Sequence, residues 1–533
     1  MLLSGYCGII SELSLFNLGT VLLGGTNTTL LYTMGVMMFF MGIGSLCTEF
    51  RWFSKISFDH FAMVELALSL ACMISVPMIH LGTAWLPSYS LAFFLIFSPM
   101  IGLLIGMEIP IILRLNQSLG LELRENSARV MMADYFGCLF AFVFFPFLLY
   151  PNLGISFTAF SGAIINLLLA TLTLVIFRKR FQWPFLILSS TLVLGVFSIS
   201  LGLSIDSIAR YADQKLFRDP IIYADQTPYQ QIKFTRYDPF LPKPKKWNQS
   251  NQGKTLLSSS DSRYEIKEFR SKTGKDLRFF INGGLQFSTL DEYRYHELLV
   301  HPGLHVTPNA TRALVLGGGD GLAVRELLKY EQIDTVVLVD MDQELTNLFR
   351  YSDAAELNSL ALQDPRVHII NQDAFVFLRQ SADSFPLIII DFPDPYNLHL
   401  AKLFTRQFYQ LVFRTLSDEG TVIVQSTSPL FNTKAFQCIG KTLQSAGFDP
   451  IPMQVSMKTF ESWGFHIASR HLSGAEIQKA LHSYTARVPT RYLDRGAMVS
   501  SLYLGKDLQP NTDTIPINDL HRLVLTRLYR KGL

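Results

Sequence analysis

The sequence predicts a multi-pass α-helical membrane domain, then a small β domain, then a doubly wound, Rossmann-like α/β domain of the methyltransferase type. Three observations predict this order. The charge is unevenly spread: residues 1–205 hold eight Lys or Arg and eight Asp or Glu, out of 46 and 43 in the 533-residue chain. That first part is about 8% charged and the remainder about 22%, so one half has membrane composition and the other globular composition. Seven apolar runs in the first part approach the ~20 residues that a helix needs to cross a bilayer. From about residue 310, short apolar runs alternate with helical stretches, the pattern of a parallel sheet covered on both faces.

The seven candidate spans are 2–23, 28–47, 60–81, 89–113, 129–150, 154–177 and 183–205. The first lacks a basic leading region and a small-residue cleavage site, so it reads as a span or a re-entrant piece rather than a signal peptide. Glu12, Glu65, Glu108 and Asp134 fall inside the spans. Acids there are costly and so are candidates for function; the plainer reading pairs Glu108 and Asp134 with Arg114 or Arg129 to lock the bundle. Basic residues cluster in three loops, at Arg51 and Lys55, at Arg114, Arg124 and Arg129, and at Arg178-Lys179-Arg180. With seven full crossings the basic loops share one side and the charged half lies on the other, against the positive-inside tendency for a cytoplasmic enzyme. Cys7, Cys47, Cys72, Cys138 and Cys438 form no CxxC pair, and a net charge of +3 gives no support to a nucleic-acid partner.

The expected divisions are 1–205, 206–300 for the β domain, 301–505 for the catalytic domain and 506–533 for a C-terminal tail. Strand-like runs at Ile221–Tyr223, Tyr229–Thr235, Tyr264–Phe269 and Leu277–Ile281 build the β domain, and residues 238–262, rich in Pro, Lys, Ser and Asn, read as a long loop. The sheet strands are expected at Ala313–Leu316, Thr335–Val339, Val367–Ile370, Leu387–Ile390 and Thr421–Val424. Such sheets bind ligands at the carboxyl ends of their strands. After the first strand comes Gly317-Gly318-Gly319-Asp320-Gly321, a turn that lets the backbone approach a ligand closely. A carboxylate in that turn would repel a pyrophosphate, so the ligand carries positive charge instead. Asp340 ends the second strand, where an acid accepts from ribose hydroxyls. Asp373-Ala374 follows the third, Asp391 and Asp394 the fourth, and Gln425 ends the fifth. An Asp after a strand is commonly a helix cap. Five on one rim point instead to a polycation, such as a nucleoside sulfonium with an amine.

These residues resemble the spermidine synthase (polyamine aminopropyltransferase) family. The matching stretches are Tyr229-Gln230-Gln231-Ile232, residues 286–297, His301-Pro302, Gly317–Gly321, Asp340-Met341-Asp342, Asp373-Ala374-Phe375 and Asp391-x-x-Asp394-Pro395. The apolar half resembles the membrane domain fused to some bacterial members, through Ser4-Gly5 to Glu12, Gly106–Pro110 and Ala133–Gly137. The resemblance implies Asp391 as the general base and Asp394, His296 and Tyr295 as holders of the amine. It implies Asp320 at the aminopropyl end of the donor, Asp340 at the ribose, Asp373 and Ala374 at the adenine, and Gln230 near the nucleoside. Three departures stand out: Phe392-Pro393 between the two acids, Asn397-Leu398 where the family has Gly-Pro, and Thr459-Phe460 where a Tyr is common.

The implied reaction moves an aminopropyl group from decarboxylated S-adenosylmethionine to an amine such as putrescine, giving spermidine and methylthioadenosine. It implies no further cofactor and no metal; His296 and His301 have no third ligand at metal spacing. Two other functions share features of the sequence. A methyltransferase using ordinary S-adenosylmethionine shares the sheet and the glycine turn, and a polyamine-binding transporter or sensor would use the intramembrane acids. The expected location is the inner cell membrane, with the catalytic half in the cytoplasm where the sulfonium is made. The partners are the small amine, the sulfonium and the lipid bilayer; homo-oligomerisation is left open.

Overall fold

The computed structural model describes residues 1–23, 29, 31–50, 56–237, 276–459, 462–508 and 515–532. The expected loop 238–262, the run Tyr264–Phe269, Arg51, Lys55 and Phe460 lie outside the described residues. The chain forms two compact units, Met1–Pro220 and Ile221–Leu533.

The first unit is helical. Its helices are α1 (Leu2–Leu23), α2 (Leu31–Cys47), α3 (Phe58–Trp85), α4 (Ser90–Ser118), α5 (Leu123–Phe144), α6 (Tyr150–Ile176) and α7 (Pro184–Leu216). Five helical runs are long and apolar enough to cross a membrane. One of them is the continuous 54-residue run Leu123–Ile176, which covers two expected spans and breaks direction at Gly154, whose φ is 67°. The Leu31–Cys47 helix is shorter than the other runs. Helices approach closely where side chains are absent. A Cβ on Gly106 of α4 would lie 2.0 Å from the Met41 carbonyl oxygen of α2, and one on Gly102, four residues back, 2.3 Å from that of Met37. This Gly-x-x-x-Gly spacing brings two backbones together without any need for hydrophobic drive.

The expected Glu108 and Asp134 pairings with Arg114 or Arg129 do not form. Glu108 accepts from Ser4 of α1, Arg114 donates to the Thr48 carbonyl at 2.8 Å, and Arg129 pairs with Glu125 one turn away at 3.3 Å. The reason is helical phase: Glu108 and Arg114 are six apart, Arg129 and Asp134 five, and neither spacing shares a face. Buried Asp59 accepts from the backbone N–H groups of Gln182 and Trp183 at 2.9 and 2.8 Å, fixing the start of α7 to the start of α3.

The second unit begins with an antiparallel sheet in the order β1 (Ile221–Gln226), β2 (Gln231–Tyr237), β3 (Asp276–Ile281), β4 (Gly284–Ser288). Asn282-Gly283 turns β3 into β4 with φ of 49° and 81°, the pair of positive values that a two-residue hairpin requires. Phe234, Phe279 and Phe287 of this sheet cluster with Phe349, with ring centroids 4.7 to 6.3 Å apart. After α8 (Glu292–Val306) the strands β5 (Arg312–Gly317), β6 (Thr335–Val339), β7 (Val367–Ile370), β8 (Phe385–Asp391) and β9 (Leu416–Gln425) run parallel. They alternate with helices that include α9 (Leu322–Leu328), α10 (Gln343–Tyr351), α11 (Ala374–Gln380) and α12 (Arg406–Thr415).

The parallel sheet expected from the sequence carries an antiparallel edge. The sheet has seven strands in the order β10-β11-β9-β8-β5-β6-β7, and β11 (Trp463–Ser469) is antiparallel to both β9 and β10 (Ile451–Val455). Only residues 456–462 join β10 to β11, too few for a parallel crossover, so the chain folds straight back. The connection reverses between β5 and β8, where Gly317 stands opposite Asp391. This is the topological switch point, where open α/β sheets bind ligands.

Candidate active site

A cavity opens at that switch point. It is lined by Gln230, Tyr295, His296, Asp320, Asp340, Ala374, Asp391 and Gln425 of the residues expected from sequence, together with Asp342, Gln372 and Trp463. The glycine turn makes it possible. Gly317 has φ 79°, and a Cβ there would sit 2.3 Å from the Asp391 carbonyl oxygen; one on Gly319 would sit 2.7 Å from an Asp340 carboxylate oxygen. The turn therefore has to be bare for two strand-end acids to stand against it.

Asp391 Oδ1 accepts a 2.6 Å hydrogen bond from the Tyr295 hydroxyl. Burial raises the Asp391 pKa above the usual carboxylate range, against the His296 charge and the Tyr295 bond. Asp320, just ahead of α9, accepts a 2.9 Å bond from the Leu322 N–H. Burial and the nearby Asp391 push it up to about 6, with His296 opposing. Asp340 accepts from the Gly319 N–H at 3.1 Å and the Asp342 N–H at 2.9 Å, and burial pushes it up to about 7. Burial is the main reason that these acids hold their protons unusually well, and a cation placed among them would offset that penalty.

His296 belongs to a buried relay. Burial alone would lower its pKa, but its Nδ1 bonds the Glu292 carboxylate at 2.9 Å and the net result is a raised value. Arg325 grips both Glu292 oxygens at 3.0 and 2.9 Å and reaches Glu326 with its Nε at 3.0 Å. Glu326 in turn meets His301 at 3.0 Å.

Two expected residues do not line the cavity. Asp394 sits behind Gln425, whose Nε2 donates to it at 2.7 Å, and also accepts from Thr427 at 3.2 Å. Thr427 has φ 64°, an outlier for a β-branched residue and a form of strain that clusters at functional sites. Asp373 caps α11 by accepting from Phe375 and Val376 N–H groups, and its other oxygen pairs with Lys402 at 2.5 Å. Although burial works against it, Lys402 holds the Asp373 carboxyl below the usual range. Its neighbour Ala374 faces the cavity instead.

Sequence reading missed the groups that brace the site. Asp342 caps α10, accepting from the Glu344 and Leu345 N–H groups. With its other oxygen it accepts from Thr227 at 2.7 Å and from Gln230 at 2.8 Å, so it ties the small sheet to the large one. Its place two residues after Asp340 was the available signal. Among the described residues, no cluster of three or more His, Cys, Asp or Glu forms a metal site.

Comparison with known proteins gives these positions a context. Residues 292–478 match the Spermine/spermidine synthase domain. A polyamine aminopropyltransferase of Leptospira interrogans is 35% identical over 88% of this chain and 86% of its own length. Polyamine aminopropyltransferase 1 of Streptomyces coelicolor is 34% identical over 96% of this chain and 89% of its own. The enzyme of Oceanobacillus iheyensis is 34% identical over 99% and 95%. A solved spermidine synthase from Thermotoga maritima aligns with 53% of this chain and 84% of its own at 22% identity and TM-score 0.41. Since the three relatives are matched along almost their whole length, helical unit included, this chain belongs to the polyamine aminopropyltransferase family.

Proposed function

We propose that this aminopropyltransferase takes decarboxylated S-adenosylmethionine as donor and a primary diamine of the putrescine class as acceptor. The observation that carries the proposal is the position of Asp391. It ends β8 at the switch point, opposite the glycine turn, with its carboxylate against Tyr295. In the reaction the acceptor ammonium first gives a proton to Asp391, which frees a lone pair. The nitrogen attacks the methylene beside the sulfonium, the C–N bond forms as the C–S bond breaks, and neutral methylthioadenosine leaves. A buried carboxylate with raised proton affinity suits a general base.

The other residues hold the two substrates. Asp340 accepts from the ribose hydroxyls, Gln230 is steadied by Asp342 beside the nucleoside, and Ala374 leaves room for the base. Asp373 supports that side indirectly, as the cap of α11, rather than by contact. Asp320 meets the ammonium at the aminopropyl end. Tyr295, His296 and Gln425 form the acceptor side, with Asp394 behind them holding Gln425 and adding negative charge toward the far ammonium. The helical unit anchors the enzyme in the inner membrane, with the catalytic unit in the cytoplasm where the donor is made.

The test is a donor-by-acceptor panel on the detergent-solubilised protein, measuring methylthioadenosine release. Release that requires both the decarboxylated donor and a diamine is expected. Methyl transfer from ordinary S-adenosylmethionine, or no amine-dependent release, would overturn the proposal.

A further inference from the structure

We infer that the helical unit holds a second amine site, in which Glu65 and Glu108 receive the ammonium group of a small primary amine between α1, α3, α4 and α6. The inference does not depend on the roles proposed above for the catalytic residues. It starts from buried groups that lack partners. Glu65 and Asn166 are each 0% exposed and Glu108 is 2% exposed. Among the described residues, neither Glu65 oxygen, nor Glu108 Oε1, nor either end of the Asn166 amide has a hydrogen-bond partner. A polar group buried in this way costs free energy until something satisfies it, and inside a membrane span a carboxyl costs most.

Contacts between the helices bring these groups to one level of the bundle. Ser11 of α1 meets Cys72 of α3, Oγ to Sγ at 3.1 Å. Seven residues back on each helix, two turns, stand Ser4 and Glu65, on the same faces as Ser11 and Cys72. Ser4 donates to the Glu108 carboxylate of α4. One turn after Glu65, Ser69 donates to the Ala163 carbonyl of α6 at 2.8 Å. α6 runs antiparallel to α3, since Phe58 at the start of α3 stacks on Phe177 just past the end of α6, with centroids 4.4 Å apart. Asn166, one turn past Ala163, is therefore carried back to the level of Glu65. α6 also touches α1 here: a Cβ on Gly162 would lie 3.8 Å from the Cys7 carbonyl oxygen.

The unmatched groups are mostly acceptors: three carboxyl oxygens and the Asn166 carbonyl oxygen, drawn from α3, α4 and α6. A primary ammonium brings three N–H donors and one positive charge, so it answers the acceptors and the charge together. A metal ion is a poorer match, because among the described residues no three His, Cys, Asp or Glu side chains converge to hold one. The level lies about two turns inside the end of the unit where α1 and α3 start. At that end the half-buried Asp134 of α5 stands against Gly5, where a Cβ would lie 2.5 Å from Asp134 Oδ1. The bare Gly5 thus admits a third acid beside Ser4, nearer the surface of the helical unit than Glu65.

Equilibrium dialysis of radiolabelled putrescine against the full-length protein in lipid nanodiscs tests this. The wild type should bind more than one amine per chain. Glu65→Gln keeps the shape and removes the charge, and should lose one bound amine, its affinity at that site falling at least roughly tenfold. The rate of aminopropyl transfer and the KM for the diamine should be the same in both proteins, because Glu65 lies in the other unit from Asp391. Asn166→Leu, which changes no charge, should lower the same occupancy, and it carries the test if Glu65→Gln does not assemble. A single bound amine per wild-type chain, or unchanged occupancy in the variants, would overturn the inference. So would a loss of transfer activity in step with the lost binding, since Glu65 would then act through the fold. Wild-type protein that binds the second amine yet transfers no aminopropyl group would overturn the proposed reaction and leave this site standing.

Discussion

At the scale of single residues, the site is a set of carboxylates whose burial has been tolerated for their charge. Asp391→Asn keeps the shape and can still accept from Tyr295, but it cannot take a proton from the attacking ammonium. Its turnover should fall about 10²–10⁴-fold with donor binding largely kept, as measured by single-turnover transfer and by donor titration. Asp320 makes a sharper case because its two effects have opposite signs. Its carboxyl is pushed from 3.8 to about 6 by burial and by Asp391. A carboxylate whose pKa is raised on folding costs nothing below its unfolded value and its full penalty above its folded one. Asp320→Asn can still accept from the Leu322 N–H and should raise stability by roughly 1–2 kcal/mol at pH 8, with the gain disappearing toward pH 4. The same change should weaken donor binding more than methylthioadenosine binding, because the product has no ammonium. In the wild type, donor affinity should fall as pH drops through about 6 and the carboxylate takes its proton. Thermal melts and donor titrations across pH check both. A variant destabilised at pH 8, or one that loses donor and product equally, would mean that Asp320 only shapes the glycine turn. These acids were legible in the sequence because each ends a strand. Asp373 looked the same from that pattern, yet it is a helix cap paired with Lys402, and no local signal separates the two cases.

Elements position these residues, and what was legible at this scale followed from periodicity. The five parallel strands declare themselves as apolar runs because both their faces are buried. β10 and β11 were not anticipated, since a short edge hairpin after a helix has no alternation distinct from its surroundings. β4 was missed although Asn282-Gly283 is a strong hairpin signal. The tie between the two sheets is non-local and therefore silent in sequence: Asp342 at the start of α10 reaches Thr227 and Gln230, more than a hundred residues earlier. Asp342→Ala removes a helix cap and that tie together. Loss of the cap should cost about 1 kcal/mol. The freed Gln230 should raise the KM for the donor several-fold while leaving the KM for the amine unchanged. Gln230→Ala provides the control, since it should reproduce the kinetic change without the loss of stability. If the two substrates' KM values rise together in Asp342→Ala, the tie serves the whole unit rather than the nucleoside side.

For the whole molecule, the division into an apolar and a charged half was plain from composition, because residues 1–205 hold so few of the chain's charges, which supports the proposed membrane placement of that half. The side of the membrane is harder to derive. The helical segments α1 to α7 place Arg114, Arg124 and Arg129 between α4 and α5, and Arg178–Arg180 between α6 and α7. If every segment crosses, those basic loops share one side and the chain after α7 emerges on the other. The donor's chemistry argues for the opposite placement, since a sulfonium made inside the cell must reach Asp391 there. One segment between the α4–α5 loop and α7 that enters and leaves on the same side brings Arg114, Arg124 and Arg129 to the side of the catalytic unit, whereas Arg178–Arg180, one crossing before that unit, stay opposite. The Leu123–Ile176 run is suited to this, as it breaks at Gly154 and carries Pro146 and Pro151 close by. Dropping α1 would not help, because it leaves every later loop in the same relation to the catalytic unit. We therefore expect a reporter fused after Leu533 to be active when it requires the cytoplasm and silent when it requires export. A reporter inserted near Gly120, between α4 and α5, should report the same side as the C-terminal fusion. Activity of the C-terminal fusion only in the exported form would reject the cytoplasmic placement. It would also leave the proposed donor on the wrong side of the membrane from the residues that are to use it.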